Sequence, residues 1–114
     1  MAELAKMKCV PCRGGIPPLT PEQIAPLAAQ VPTWQVANHH HLHKVMATKN
    51  FAESLALANR IGALAEQEGH HPDLLVAWGK LVVDIWTHKI DGLNESDFIL
   101  AAKIDELVNP GALK

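Results

Sequence analysis

Three helical patterns in this 114-residue chain alternate with two pairs of short strand-like runs, and this order restricts the fold more than any other feature. The first helix is expected to start at Thr20-Pro21-Glu22-Gln23, where threonine can cap the helix and glutamine can complete a capping box. A long amphipathic segment follows the cap residue Asn50 and runs to about Glu68. Asn94 caps a third helix, which is expected to end near Val108.

The strand-like runs form two predicted hairpins. Residues 34–36 and 42–46 are joined by a short linker, and residues 74–78 and 80–88 are joined at Gly79. Short connections favour antiparallel pairing, because parallel neighbours need a long crossover. We therefore expect a two-layer α+β fold with a four-stranded antiparallel sheet, helices packed on one face, and the element order α-β-β-α-β-β-α.

One face of this sheet should lack a cover from its own chain. Side chains of the last predicted strand alternate between its two faces. The residues expected to face the core are Leu81, Val83, Ile85 and Thr87, and those expected on the opposite face are Val82, Asp84, Trp86 and His88. The long helix should turn one apolar stripe inward, made of Phe51, Leu55, Ala58, Gly62 and Ala65, and widened by Leu57, Ile61 and Leu64. Trp86, with Trp78 or Trp34, should then be partly exposed, which suggests a second subunit or a ligand.

Length and charge set the broad class. The chain suits one domain, which we place at residues 19–114, after an arm of residues 1–18 that we expect to be flexible and extended. A net charge of −2 gives no reason to expect binding to nucleic acid or to an anionic membrane. The sequence contains neither an apolar run of membrane-spanning length nor a secretory signal, so we expect a cytoplasmic protein.

Two features could indicate a metal or redox site, and neither is complete. Cys9 and Cys12 have C-x-x-C spacing, but zinc needs a second pair of ligands and thioredoxin-like chemistry needs a βαβ context. Two free thiols in the arm are the simpler interpretation. The histidines at positions 39–41 and 43 alternate between the faces of a strand, so few can share one ion and a solvated turn is favoured.

Three further histidines carry the chemistry. Gly69 and Pro72 end the long helix, which places His70 and His71 on the loop just past its C-terminus. His88 lies at the end of the last predicted strand. Imidazole titrates close to neutral pH, so a cluster of imidazoles suits proton transfer. A zinc site is the alternative, but adjacent histidines are poorly placed to bind one ion and a fourth ligand is missing.

These residues resemble the signature of the pterin-4a-carbinolamine dehydratase family. The matching pattern is Glu66-x3-His70-His71-Pro72-x5-Trp78-x9-His88-x8-Asp97. The surrounding sequence agrees through Gly92-Leu93-Asn94-Glu95-Ser96-Asp97-Phe98, where the family usually has Gly-Leu-Ser-x-x-Asp. The resemblance extends from about Trp34 to Leu107 and does not include the arm with its two cysteines.

The resemblance implies a hydro-lyase that removes water from 4a-hydroxytetrahydropterin and produces quinonoid dihydropterin. This step would belong to the recycling of tetrahydropterin for an aromatic amino acid hydroxylase system, and it requires neither a metal nor a redox cofactor. On the family pattern, His70 and His88 would transfer protons while His71 would bind and orient the pterin. The residues expected to bind or support the substrate are Glu66, Asp97, Trp34 and Trp78.

Other interpretations stay open at this stage. Asp97 also suits a helix N-terminus without any catalytic role, and Trp78 also suits a packed strand. Some family members act as dimerisation cofactors for a homeodomain transcription factor, so a binding protein without catalysis is one alternative. An enzyme acting on a pterin of molybdopterin metabolism is another. The uncovered sheet face favours a homodimer or a homotetramer in each case.

Overall fold

The computed structural model describes residues 4–9 and 16–108, and it confirms the expected α+β architecture and element order. The described residues form the helices α1 (Pro21–Ala28), α2 (Phe51–Glu68) and α3 (Glu95–Val108) and the strands β1 (Gln35–Ala37), β2 (His41–Ala47), β3 (Asp73–Ala77) and β4 (Lys80–Ile85). Short 3-10 turns occupy Leu4–Lys6 and His88–Ile90. Within the two described stretches, no helix is long and apolar enough to cross a membrane.

The strands form one sheet in the order β1-β2-β4-β3, and each neighbouring pair is antiparallel. Both predicted hairpins are present, and they join where β2 pairs with β4. Leu42 lies opposite Ile85 in that pairing, on the side covered by helices. The long connection through α2 therefore places the second hairpin beside the first, with β3 at the edge.

The helix boundaries follow from the capping residues. Thr20 accepts a hydrogen bond from the Gln23 backbone, and the Gln23 side chain accepts one from Thr20 in return. Asn50 accepts from the Glu53 N–H at 2.9 Å and starts α2. Gly69 ends α2 with φ 65°, a left-handed conformation that favours glycine. These residues fix where α2 stops and where the loop with the two adjacent histidines begins.

The inward face of α2 differs from the expected stripe. Phe51 and Leu55 are 47% and 46% exposed, so their assignment to the core is wrong. The buried positions are Ser54, Ala58, Ile61 and Ala65. Ser54 can lie in the core because its hydroxyl is hydrogen-bonded to Thr48 and to the Asn50 carbonyl. Apolar periodicity cannot anticipate a buried serine, and the true stripe is rotated by about one position.

The open face of the sheet is present as expected, and of the two tryptophans named as alternatives for exposure, Trp78 is exposed and Trp34 is not. Val45 and Leu75 are exposed on this face beside Val82, and Trp78 is 74% exposed at the β3–β4 turn. Trp34 is instead buried at 5% exposure, because it precedes β1 and turns toward the helices. Its Nε1–H donates to Asp105 Oδ1 at 2.9 Å.

Part of the predicted arm is packed. Leu4 is buried against the core, and Lys103 of α3 donates from Nζ to the Ala5 carbonyl at 3.0 Å. Residues 4–9 therefore lie against α3 and are not an extended tail. Residues 1–3 and 10–15, including Cys12, lie outside the described residues. The boundary of the domain at residue 19 stays a prediction.

Candidate active site

The C-terminus of α2 presents the two adjacent histidines. The Gly69 N–H donates to the carbonyls of Ala65 and Glu66, and the His70 N–H donates to Ala65 at 3.2 Å. These bonds satisfy the last carbonyls of the helix and fix the path of the loop. Pro72 then restricts the preceding residue to an extended conformation as the chain enters β3.

His70 is held by a buried carboxylate. Its Nε2 lies 2.5 Å from Oδ1 of Asp97, a residue that is 0% exposed at the start of α3. The other carboxylate oxygen accepts from Thr87 Oγ1 and from the Asn94 N–H, both at 2.8 Å. Because those donors occupy Oδ2, Oδ1 remains to accept the Nε2 proton of His70. The neutral ring then keeps Nδ1 as a proton acceptor.

His71 has a carboxylate partner of a different kind. Its Nε2 lies 2.5 Å from Oε2 of Glu66, one turn back on α2. The two side chains are 60% and 78% exposed, so solvent screens this pair far more than the His70–Asp97 pair. The two neighbouring histidines therefore have different environments, one fixed and nearly buried, the other open to solvent.

His88 lies in a 3-10 turn just beyond β4 and not within the strand. Its ring is stacked on the Trp86 indole, with centroids 4.2 Å apart and planes inclined by 8°. The turn is closed by backbone bonds between Thr87 and Gly92. Trp86 was not among the expected site residues. The strand alternation had placed it on the same face as His88, and that signal could have identified it.

An open cavity of about 370 Å³ brings these side chains together. Its lining residues are Gly69, His70, His71, Pro72, Asp73, Trp86, Thr87, His88 and Lys89. The volume lies in the lower part of the range of about 300–1,000 Å³ that is typical of small-molecule sites. The three histidines expected from the sequence thus border one cavity, and Glu66 and Asp97 contact two of them from outside it.

Two expected contributors lie elsewhere. Trp78 follows β3, whereas the cavity lies at Asp73, where that strand begins. Trp34 is buried against Asp105 on the helix-covered side of the sheet. Neither tryptophan lines the cavity of this chain, and their assignment to the substrate site stays a prediction. Indole spacing alone does not reveal which end of a hairpin a side chain occupies.

The histidines of the first hairpin form a polar chain that reaches the cavity wall. The rings of His40 and His41 lie 5.4 and 5.7 Å from the Trp86 ring, centroid to centroid. His40 Nε2 lies 2.7 Å from Asp91, and His43 Nδ1 lies 2.7 Å from Asp84. His41 lies between them, 3.0 Å from His40 through their Nδ1 atoms. Across residues 4–9 and 16–108, no group of three or more histidine, cysteine, aspartate or glutamate side chains is arranged to hold a metal ion.

The fold and the cavity define a class: a small α+β protein with an open, histidine-lined cavity of small-molecule size. The family model described as pterin 4 alpha carbinolamine dehydratase matches residues 17–107. The chain therefore belongs to the pterin-4a-carbinolamine dehydratase family, as the sequence pattern predicted.

Individual relatives agree with this assignment. A Rubrobacter xylanophilus protein named "Putative pterin-4-alpha-carbinolamine dehydratase" is 51% identical over 107 residues, which cover 94% of this chain and 100% of the relative. A Rickettsia bellii protein of the same name is 53% identical, with 93% of this chain and 95% of the relative covered. The crystal structure of a transcriptional coactivator/pterin dehydratase from Brucella melitensis superposes with a TM-score of 0.71. The match covers 79% of this chain and 97% of the Brucella chain at 23% identity, and so supports the fold.

Proposed function

We propose that the protein is a 4a-hydroxytetrahydrobiopterin dehydratase. The observation that supports this most directly is that His70, His71 and His88 border one cavity of small-molecule size. Membership of the family supports a pterin carbinolamine as the substrate class. The reaction would serve tetrahydropterin recycling beside an aromatic amino acid hydroxylase in the cytoplasm.

The reaction is an elimination of water. The C4a–O bond breaks, the N5–H proton leaves, and the electron pair of the N–H bond forms the C4a=N5 double bond of the quinonoid product. A base must take the N5 proton, and an acid must protonate the departing hydroxyl so that it leaves as water. Each positioned proton transfer typically contributes about 10²–10⁴-fold to the rate.

His70 is suited to act as the base. With Nε2–H donating to Asp97, its Nδ1 can accept a proton, and the buried carboxylate then stabilises the resulting imidazolium. His88 is suited to act as the acid, because the indole face of Trp86 attracts a cationic ring stacked on it. His71 borders the same cavity. Its exposed pairing with Glu66 suits binding and orientation of the pterin.

A direct assay tests this proposal. Purified protein should accelerate the loss of the 4a-hydroxypterin absorbance generated by a hydroxylase. The double variant His70→Ala, His88→Ala should lose this acceleration, while His39→Asn, at an exposed hairpin position outside the cavity, should retain it. A double variant with wild-type turnover would contradict the assignment. Comparing turnover on a molybdopterin-type intermediate would identify the preferred pterin.

We also propose a homodimer or a homotetramer. Val45, Val82 and Leu75 form an apolar row across the face of the sheet that the helices leave open. An apolar row of this kind on a soluble protein suits burial against a second copy. Light scattering at micromolar concentration should give a mass above that of the monomer, and Leu75→Lys should lower it. A monomeric wild-type protein would exclude this assembly.

The same face favours one alternative function, a binding protein without catalysis. The Brucella protein of similar fold is described as both a transcriptional coactivator and a pterin dehydratase. Two results together would favour this alternative for this chain. The wild type would show no turnover, and the His70→Ala, His88→Ala variant would still bind a protein partner fully.

A further inference from the structure

Residues 4–9 form a segment, here called the N-terminal strap, that packs behind the candidate active site. Its first anchor is Leu4, which is 3% exposed within the core cluster. Its second anchor is the Ala5 carbonyl, which accepts from Lys103 Nζ at 3.0 Å. The strap is therefore attached to α3 by both apolar packing and a charged donor.

The far end of the strap contacts the last turn of α2. The backbone N–H of Cys9 donates to Glu68 Oε1 at 3.2 Å. The other carboxylate oxygen of Glu68 lies 3.7 Å from Lys103 Nζ, and both side chains are largely buried. Glu68 thus connects the strap, α2 and α3 at one point. That point is two residues before His70 in the chain.

A second contact reaches the start of α3. The thiol of Cys9 donates to the Ser96 carbonyl with a sulfur–oxygen distance of 3.5 Å. Ser96 immediately precedes Asp97, the carboxylate that holds His70. One residue of the strap therefore contacts the neighbours of both members of the His70–Asp97 pair, although the strap itself does not line the cavity.

We propose that the N-terminal strap is a positioning element that fixes the distance and angle of the His70–Asp97 pair. This inference rests on the dehydratase function proposed above, because it assigns the strap a role in the turnover of that site. The strap acts through the Glu68 side chain at the end of α2 and the Ser96 carbonyl at the start of α3, and it touches no reacting atom. Small displacements of a catalytic group can lower a rate strongly, since the reacting atoms must be held at close range.

The Cys9 thiol is unsuited to nucleophilic chemistry. Burial, followed by the charge of Glu68, raises its pKa from an ordinary 9.0 to about 12, so the reactive thiolate is scarce at neutral pH. The same burial makes Cys9 a reporter, because alkylation should be slow while the strap is docked and fast once it is displaced. The reporter is read in the full chain carrying Cys12→Ser.

Two variants displace the strap by different means. Leu4→Glu places a charge at a buried anchor and should release the segment. Glu68→Ala removes the acceptor of the Cys9 N–H and the partner of Lys103. Glu68→Gln keeps an oxygen acceptor for Cys9 and is the conservative rescue. Glu106→Ala, at an exposed position of α3, is the matched control.

Two readouts separate positioning from general stability. In both displacing variants, amide hydrogen exchange should rise about tenfold at residues 69–71 and 96–97 and stay unchanged in β4. The kcat for 4a-hydroxypterin should fall about tenfold with KM within about twofold, because the rest of the cavity wall is untouched. Glu68→Gln should recover most of the kcat, and Glu106→Ala should match wild type.

Three outcomes would overturn the strap's role. The first is fast Cys9 alkylation, which shows that the strap is displaced, with unchanged amide exchange at residues 69–71. The second is amide exchange that rises as much in β4 as at residues 69–71. The third is an unchanged kcat in a variant whose strap is displaced. A wild-type protein that does not turn over the hydroxypterin would refute the proposed function. The exchange measurement would still decide whether the strap holds the His70–Asp97 pair, so the two failures can be told apart.

Discussion

Replacing Asp97 by asparagine tests the central proton-transfer step with almost no change in volume. The two donors at Oδ2, the Asn94 N–H and the Thr87 hydroxyl, would keep the amide oxygen on their side. The amide NH₂ would then face His70 Nε2 in place of the Oδ1 acceptor. To accept that N–H, the ring must place its own proton on Nδ1, which removes the proposed base.

The size of the effect follows from the number of interactions lost. Losing the base and the charge behind it should reduce kcat by about 10²–10⁴-fold. Stability should fall by about 1.5–3 kcal/mol, the range for a hydrogen bond to a charged group, so the variant should still fold. The corresponding change in the exposed pair, Glu66→Gln, should reduce kcat by less than about tenfold, because solvent already screens that carboxylate.

Single-turnover loss of the 4a-hydroxypterin absorbance measures the chemical step, and urea unfolding measures stability. Glu22→Gln, an exposed acid-to-amide change on α1, controls for general effects of the lost charge. A folded Asp97→Asn variant that turns over within about threefold of wild type would refute the proposed role of the buried carboxylate. A Glu66→Gln variant more damaged than Asp97→Asn would refute it as well.

Three further predictions concern the ring stacked on His88, the N-terminal strap and the turn after β4. Trp86→Ala removes the ring stacked on His88 and should lower kcat about tenfold, with Trp86→Phe recovering part of it in the same assay. Raising the pH from 9 toward 12 should lower stability, because the unfolded Cys9 thiol loses its proton near 9 while the folded thiol keeps it to about 12. Urea unfolding at pH 8 and pH 10 should show this loss, and Cys9→Ala should abolish it. Gly92→Ala places a Cβ 2.6 Å from the Cβ of Pro18 and should destabilise by about 1–3 kcal/mol, measured by thermal melting.

The elements of the fold could be predicted because their signals are local. Thr20 and Asn50 form the expected caps, and Gly69 ends α2 where expected. The alternation in β4 correctly separated its buried face from its open face. The errors involve tertiary partners. Ser54 lies in the core in place of an apolar residue because its hydroxyl is hydrogen-bonded to the Thr48 hydroxyl and the Asn50 carbonyl. The apolar periodicity of the sequence does not reveal such partners.

The site itself was only partly predictable, for a related reason. The spacing of His70, His71 and His88 indicated their chemistry, but their convergence depends on which strands pair. If the hairpins had joined through β3, the start of β3 would lie inside the sheet and not at its edge. The observed order leaves Asp73 on an edge strand, beside the turn that carries His88.

The same topology explains why Asp97 reaches the cavity region of this chain while Trp34 does not. Asp97 lies in the first turn of α3, and the loop before α3 starts at the cavity end of β4. This short connection places Asp97 beside His70. Trp34 precedes β1 at the other edge of the sheet and turns to the helix-covered side, where Asp105 binds its indole nitrogen. A residue carried over from a sequence pattern is therefore most secure when the connection that places it is short. For this chain that criterion favours Asp97, the carried-over residue that contacts His70.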